Sequence, residues 1–173
     1  MINIKSYSSL KSNAKGKQME KLIEAACDVY RRKGVAHIVK VPEPFMVLSI
    51  NKDRKSFVGK FMDNAEPDFL GSDKNGHVVA FESKYTATDK IKQSVISDRQ
   101  KESLDLYHQL KAHVGVCVGI KTTYAFIPWT VWTEMKTIYG RKYMTEDEIK
   151  EYEVWTPGYI DFLKAVERIE QNE

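Results

Sequence analysis

The sequence predicts a single α/β domain whose central β-sheet mixes parallel and antiparallel strands and is flanked by helices. Residues 17–33 and 96–112 have apolar side chains at helical spacing. Residues 114–120 are apolar almost throughout, as in a strand that is buried on both faces. Helices and strands alternate along the chain, which is typical of α/β folds. The 173 residues are enough for one domain with a sizeable core.

The N-terminal segment is polar before it becomes amphipathic. Residues 1–15 are rich in Ser, Asn and Lys, and we expect a flexible basic arm there. The predicted helix 17–33 follows, and Gly34 is well suited to end it. Residues 36–41 form the first predicted strand, which Pro42 interrupts.

The next segment is the least regular part of the chain. Residues 45–50 are apolar and predict a second strand. Residues 51–65 combine basic and aromatic side chains without a helical or a strand period. We therefore expect residues 51–65 to protrude between two strands as a stalk within the same domain.

A β-hairpin is predicted after the stalk. Asn75 and Gly76 both tolerate positive φ and are a strong hairpin signal. The strand that follows this turn ends near Glu82, and it would return beside Asp68. Side chains two residues apart in a strand point the same way, so Glu82 and Lys84 share a face. The hairpin therefore predicts that two carboxylates and one ammonium converge at one end of the sheet.

The second half of the chain completes the sheet and its helical layers. Its patterns are helical spacing, apolar strand runs and one mostly irregular stretch. The predicted elements are a helix at 96–112, strands at 114–120 and 122–127, a short helix at 129–138, a mostly irregular stretch at 140–157 with a candidate helical turn at 145–152, and a terminal helix at 160–169.

Composition and charge favour a soluble protein that binds a polyanion. Hydrophobic residues make up 42% and charged residues 29% of the chain, with no apolar run of membrane-span length and no signal-peptide pattern. We therefore expect a cytoplasmic protein without a membrane partner. Residues 1–60 hold 13 Lys or Arg against 5 Asp or Glu, which suggests a nucleic-acid-binding face. Cys27 and Cys117 lack metal-site spacing and are expected in the core.

The predicted hairpin carries three residues that suit phosphodiester hydrolysis. Asp68, Glu82 and Lys84 have the spacing of metal-dependent nuclease sites of the PD-(D/E)xK kind. Asp68 and Glu82 would bind Mg²⁺, which polarises the phosphate and activates a bound water. Lys84 would orient that water or stabilise charge in the transition state. A surface hairpin with ordinary solvated charges is the competing interpretation of so short a pattern.

Two further residues are candidates for the same site. Gln100 lies among core-facing residues of the predicted helix 96–112, where an amide needs a hydrogen-bonding reason. Glu20 lies at the edge of the apolar face of helix 17–33 and is a candidate third carboxylate, with Glu24 competing one turn on. An ordinary solvent-facing position is the alternative for both Gln100 and Glu20.

Several separated motifs also carry a family resemblance. In chain order they are Gly16 with Glu20, Gly34-Val35-Ala36, Pro42-Glu43-Pro44, Phe61 followed by Asp68-Phe69-Leu70-Gly71, Phe81-Glu82-Ser83-Lys84, Gln100, Gly140-Arg141-Lys142 and Gly158-Tyr159-Ile160-Asp161-Phe162. Their order and spacing resemble those of RecU-type Holliday junction resolvases, in a compact form like those of phages of Gram-positive bacteria. The resemblance covers the chain from about Gly16 to the terminal helix.

The resemblance implies a restriction-endonuclease-like core and a homodimer that resolves four-way DNA junctions by paired symmetric nicks in recombination and repair. It implies Mg²⁺ or Mn²⁺ as cofactor, with Asp68 and Glu82 as metal ligands and the stalk reaching into the junction centre. The implied catalytic residues are Glu20, Asp68, Glu82, Lys84 and Gln100. With the basic arm included, the candidate DNA contacts are Lys15, Lys17, Lys52, Arg54, Lys55 and Lys60.

The chain departs from the family pattern at three places. Tyr85 follows Lys84 where the family commonly has an acid, the N-terminal leader is short, and the stalk is slightly shortened and poorly matched in sequence. Forks and flaps are therefore alternative substrates. Two other functions also stay open, namely a restriction-type duplex nuclease on the same fold and a non-catalytic protein that binds junctions.

Overall fold

The computed structural model describes residues 4–62 and 66–170. The helices are α1 (Ile4–Lys33), α2 (Asp98–Gln109), α3 (Trp129–Thr133), α4 (Met135–Tyr139), α5 (Glu146–Ile149) and α6 (Leu163–Glu170). The strands are β1 (Ala36–Lys40), β2 (Phe45–Asn51), β3 (Ser56–Phe61), β4 (Phe69–Asp73), β5 (Val78–Thr86), β6 (Lys90–Lys92), β7 (His113–Ile120), β8 (Thr123–Pro128) and β9 (Tyr143–Thr145). Within these ranges, no helix is both long and apolar enough to cross a membrane.

A five-stranded sheet in the order β1-β4-β5-β7-β8 forms the centre of the fold. Strands β5 and β7 pair in parallel, and the other neighbours pair antiparallel. The parallel pair requires a crossover connection, which contains α2. The predicted fold class, an α/β domain with a mixed central sheet flanked by helices, is confirmed.

The two faces of the sheet bury separate apolar clusters. On one face, α1 and α6 cover Phe69, Phe81 and Phe126 together with the thiols of Cys27 and Cys117, as expected for core cysteines. The opposite face packs against α2 to α5, and its largest buried side chains are Trp129 and Trp132. Both layers hold β4 and β5 in place from opposite sides, so the predicted site is built on a rigid framework.

The predicted β4–β5 hairpin is confirmed. Phe69 pairs with Phe81 and Ser72 pairs with Val78. The turn closes through a hydrogen bond from the Gly76 N–H to the Asp73 carbonyl, 3.1 Å long. Gly76 has φ of +87° and uses the conformational freedom that the sequence indicated, whereas Asn75 keeps negative φ.

The N-terminal helix is longer than we predicted. It begins at Ile4, so residues 4–15 are helical where we expected a flexible basic arm, and residues 1–3 of that arm lie outside the described residues. Extending a helix that packing has already nucleated adds one hydrogen bond per residue, so even a polar segment can continue it. Proline is absent from this part of the chain.

The stalk differs from the prediction in its extent. Strands β2 and β3 pair only with each other, with Phe45 opposite Phe61, and form a two-stranded ribbon apart from the central sheet. Every residue of both strands is exposed, so the apolar segment 45–50 belongs to the protrusion and not to the core. The connection at 52–55 forms the tip, and residues 63–65 of the predicted stalk lie outside the described residues.

The remaining boundaries agree with the sequence to within a few residues, with one addition. Helix α2 begins at Asp98 because Ser97 caps it, two residues later than predicted. Within the stretch 140–157, the candidate helical turn at 145–152 is present as α5 and a 3-10 turn, and the addition is β9. Strand β9 pairs with β6 in a small second ribbon, with Ile91 opposite Met144.

Candidate active site

Asp68 and Glu82 are brought together by the register of the β4–β5 hairpin. Because Phe69 pairs with Phe81, Asp68 lies level with Glu82 on the neighbouring strand. The Asp68 carboxylate accepts a hydrogen bond from the backbone N–H of Ser83, at 2.9 Å from Oδ2. The Asp68 carbonyl accepts another from the N–H of Val41, just after β1. The position of Asp68 is therefore fixed from both sides of β4.

Glu82 is the buried centre of the site. It is 0% exposed, and its Oε2 accepts hydrogen bonds from Lys84 Nζ and Gln100 Nε2, both at 2.7 Å. Its second oxygen, Oε1, is also buried and has no hydrogen-bond partner among the described residues. Burial raises the pKa of Glu82 to about 7, the charge of Lys84 opposes this shift, and the charge of Asp68 adds to it. A buried carboxylate oxygen without a partner is costly unless a cation or donor binds it.

Lys84 bridges the two carboxylates. Its Nζ lies 2.7 Å from Glu82 Oε2 and 3.8 Å from Asp68 Oδ2, and its side chain is 21% exposed. The alternation of side chains along β5 puts Glu82 and Lys84 on one face, as predicted. One ammonium between two carboxylates leaves the group one negative charge when both acids are ionised, which favours a further cation.

Gln100 links the site to the start of α2. Its side-chain oxygen accepts the Ser97 backbone N–H at 3.1 Å, and its own backbone N–H donates to Ser97 Oγ at 3.3 Å. This reciprocal arrangement is a capping box, which here includes a third bond from Gln100 Nε2 to Glu82. The sequence indicated a hydrogen-bonding role for Gln100. In the structure its side chain has two such roles, because it completes the cap of α2 and also donates to Glu82.

Glu20 lies beside the site and pairs with a residue that we did not predict. Its Oε2 accepts a hydrogen bond of 2.6 Å from Lys40 Nζ at the end of β1. That hydrogen bond raises the pKa of Lys40 against the effect of burial, and the charges of Glu24 and Asp68 act in the same direction. Lys40 is therefore a second ammonium near Asp68. Only the pairing of β1 with β4 reveals it, because nothing in its local sequence marks it.

A second unpredicted residue, the acid Glu66, lies two positions before Asp68. Glu66 is exposed, and its carboxylate accepts a hydrogen bond of 3.3 Å from the Tyr107 hydroxyl of α2. The contact ties the segment before β4 to α2, which also carries Gln100. The Pro-Asp pattern drew attention to Asp68 alone, although the preceding acid reaches the same helix.

Asp68 opens into a cleft between the stalk base and the start of α2, whereas Glu82 lies buried behind it. The cleft has a volume of about 640 Å³ and is lined by Glu43, Met62, Asp68, Ser97, Asp98, Arg99 and Gln100. Met62 follows the last strand of the stalk, so the protrusion stands at the edge of the cleft.

The predicted DNA contacts lie on two exposed surfaces. Lys15 and Lys17 are exposed on α1, and Lys15 Nζ contacts the side chain of Gln18. Four stalk residues are exposed near or on the ribbon: Lys52, Arg54, Lys55 and Lys60. Their exposure permits contacts with phosphates, while their role in binding stays a prediction.

Comparison with known proteins identifies relatives over nearly the whole chain. The family model described as "Recombination protein U" matches residues 14–168. A Holliday junction resolvase RecU of Geobacillus thermodenitrificans is 27% identical over 172 residues, covering 90% of this chain and 84% of that relative. One of Staphylococcus aureus is 26% identical over 178 residues, covering 94% and 85%. The structure of Archaeoglobus fulgidus Hjc, a Holliday junction resolvase, matches with a TM-score of 0.47 and 12% identity, over 86% of this chain and 98% of that one.

Proposed function

This chain belongs to the Recombination protein U family, and we propose that it is a structure-selective endonuclease that cuts four-way DNA junctions during recombination. The observation that carries the proposal is the group Asp68, Glu82 and Lys84, in which Lys84 Nζ lies 2.7 Å from Glu82 and 3.8 Å from Asp68, and of which Asp68 lines an open cleft. Branched DNA presents shape and phosphates more than a fixed base sequence, which suits exposed cations around such a cleft.

The donor set fits a divalent metal ion, Mg²⁺ or Mn²⁺. Asp68 and Glu82 would hold it, since Mg²⁺ binds through one or two carboxylates and keeps several waters. The buried Oε1 of Glu82 supports this assignment, because a cation would satisfy an oxygen that otherwise has no partner among the described residues. When bound, such an ion supplies a water of lowered pKa and polarises the scissile phosphate.

The protein side chains have distinct roles in this proposal. Lys84 would hold the attacking water or a phosphate oxygen, and its ammonium would stabilise the negative charge that grows in the transition state. Gln100 would orient Glu82, since it donates a hydrogen bond to Oε2 and leaves Oε1 available to the metal ion. Glu20 would act at a distance, by holding Lys40 beside Asp68.

Two copies of the chain would be needed for resolution. A dimer with two-fold symmetry presents two equivalent sites to a junction of approximate two-fold symmetry, so paired symmetric nicks follow from geometry. The stalk would enter the junction centre, and its exposed cations, with Lys15 and Lys17 on α1, would contact phosphates. The place of action in this proposal is the cytoplasm of a bacterial cell, where such junctions arise.

The proposal is tested by cleavage of a labelled synthetic four-way junction in Mg²⁺, beside linear duplex, fork and flap controls. We expect two symmetric nicks on the junction, none in EDTA, and no cleavage of linear duplex. Sequence-specific cutting of duplex would identify a restriction-type nuclease instead. Tight binding of the junction without cleavage in any divalent metal would identify a non-catalytic junction-binding protein.

A further inference from the structure

A second cluster of ligand-type side chains lies at the far end of the catalytic hairpin. It consists of Asp73, the last residue of β4, His77 after the turn, and His113, the first residue of β7. One ligand atom from each lies within 4.8 Å of the others. Asp68 is five residues away along β4, roughly 16 Å at about 3.3 Å per residue, so the cluster is separate from the candidate active site.

The Asp73 carboxylate is buried, fixed and charged. Its side chain is only 8% exposed, and Oδ1 accepts backbone N–H groups of Asn75 at 2.8 Å and His77 at 2.9 Å. Burial by itself would raise the pKa of Asp73, but these two N–H groups and the His77 side chain outweigh it and hold the pKa below its usual value. Oδ2 points to the imidazoles and lies 3.3 Å from His77 Nδ1.

The two imidazoles approach each other edge to face beside this carboxylate. Their ring centroids are 4.9 Å apart and the ring planes form an angle of 78°. His113 is 9% exposed, whereas the His77 side chain is 46% exposed. The pairing of Val79 with His113 explains the contact, because it puts the start of β7 beside the turn that leads into β5. The His113 side chain is therefore held by the sheet, whereas the exposed His77 side chain has room to change its rotamer.

The ligand types distinguish this cluster from the carboxylate site. Two imidazole nitrogens and one carboxylate oxygen form a set that first-row transition metals prefer, Zn²⁺ above all, while Mg²⁺ prefers oxygen alone. Ligand atoms around a tetrahedral Zn²⁺ lie roughly 3.3 Å apart, given bonds of about 2.0 to 2.1 Å. Asp73 Oδ2 and His77 Nδ1 already lie at that spacing, 3.3 Å apart. The three ligand atoms lie no more than 4.8 Å from one another, so the remaining adjustment is about 1.5 Å or less.

We propose that Asp73, His77 and His113 bind one transition-metal ion of the Zn²⁺ type, with water completing its coordination. The ion would fasten the turn of the β4–β5 hairpin to the start of β7. Since Asp68 comes just before β4 and Glu82 lies in the middle of β5, the ion would stabilise the framework of the active site from the turn of the hairpin, without touching substrate. The proposal rests on these three residues alone and does not depend on the proposed function.

Titration of the chelator-treated full chain with Co²⁺ tests this site directly, because four-coordinate Co²⁺ absorbs visible light and can stand in for Zn²⁺. We expect visible bands that saturate at one ion per chain and disappear when Zn²⁺ is added. His77→Ala, at an exposed position, should weaken Co²⁺ binding at least about 10-fold, since even loss of a supporting group around a metal ligand costs 10- to 100-fold.

Two variants serve as matched controls. His37→Ala removes an exposed histidine of β1 whose neighbours Ala36 and Ile38 are buried, so its side chain points to the opposite face of the sheet. Asp68→Asn removes a carboxylate of the candidate active site. Both variants should bind Co²⁺ as the unaltered protein does, and Zn²⁺ should raise their melting temperatures but not that of His77→Ala.

Two results would overturn the proposal. One is Co²⁺ binding of unchanged strength in His77→Ala, with circular dichroism showing a folded variant. The other is the absence of saturable Co²⁺ or Zn²⁺ binding by the unaltered protein at about 100 μM metal. At that concentration, an ion bound only by the folded chain should raise its melting temperature measurably. Loss of binding in Asp68→Asn instead of His77→Ala would assign the ion to the carboxylate site.

Discussion

The catalytic hairpin β4–β5 and the stalk hairpin β2–β3 have the same topology but opposite surroundings. Phe69 and Phe81 of the first stack with parallel rings in the core and are 0% exposed. The equivalent pair of the second, Phe45 and Phe61, is 39% and 66% exposed. One ribbon is packed between two helical layers, whereas no described helix or sheet covers either face of the other. The chain thus separates a rigid hairpin, which carries the candidate active site, from an exposed protrusion, for which we propose a role in substrate recognition.

The largest effect should come from the buried centre of the rigid hairpin. Glu82→Gln keeps the shape and the bonds to Lys84 and Gln100 but removes the charge that would hold the metal. We expect the single-turnover rate of junction cleavage to fall at least about 10³-fold, because the activated water is lost. Junction affinity in a gel-shift assay should stay within about threefold. Glu102→Gln, at an exposed position of α2, is the control and should cut normally.

The stalk should give the reverse pattern. Reversing the charges of Lys52, Arg54 and Lys55 to Glu should weaken junction binding about 10- to 100-fold and reduce the slope of log affinity against log salt by roughly 2. Three Lys→Glu changes on other exposed surfaces form the control with the same change in net charge, at Lys33, Lys111 and Lys136. Equal losses in both triple variants would mean that overall charge, and not the stalk, governs binding.

The packing of the two hairpins can be compared by replacing one glycine in each with alanine, which adds a single methyl group. A Cβ at Gly71 of β4 would lie 2.0 Å from the His37 carbonyl oxygen and 2.5 Å from Ile38 Cα, both backbone atoms of β1. A Cβ at Gly59 of β3 would lie 2.1 Å from the Phe45 ring and 2.8 Å from the Met46 carbonyl oxygen, both within the stalk itself. We expect Gly71→Ala to lower the melting temperature by about 5 °C or more. Gly59→Ala should move it by only about 1 °C, since little else packs on the ribbon. A larger loss in Gly59→Ala would show that the stalk is part of the cooperative core.

The smallest effect concerns pH and stability without metal. The pKa of Glu82 rises from an ordinary 4.5 to about 7 in the folded state, so the folded chain holds a proton that the unfolded chain has lost between those values. Stability therefore falls as pH rises through this window and then stays low. Glu82→Gln avoids that loss, and its advantage in melting temperature should be a few degrees larger at pH 8 than at pH 5. A larger advantage at pH 5 would contradict the raised pKa.

Local patterns predicted the catalytic hairpin well. Asp68, Glu82 and Lys84 are close along the chain, and the Asn75-Gly76 turn fixes their register, so alternation along two strands was enough. The same reasoning could not find Lys40, because its approach to Asp68 depends on how β1 pairs with β4. His77 and His113 are likewise joined only by the parallel pairing of β5 and β7.

The stalk shows why an apolar strand pattern can mislead. Residues 45–50 have the composition of a core strand, yet Leu48 is 60% and Ile50 70% exposed. Apolar patterning indicates a strand but does not say which layer covers it, and that depends on the whole topology. The helical start of α1 was missed for a related reason, since helix extension from a packed segment does not need an apolar face of its own.

The separation of chemistry from recognition is tested most directly by measuring binding and single-turnover cleavage of one labelled four-way junction in the same Mg²⁺ samples. The variants are Asp68→Asn and the stalk triple reversal of Lys52, Arg54 and Lys55. We predict that Asp68→Asn binds the junction normally and does not cut it. The stalk variant should bind weakly and, at saturating protein, cut within about threefold of the normal rate. Loss of binding in a folded Asp68→Asn variant, or loss of cleavage at saturation in the stalk variant, would contradict the account.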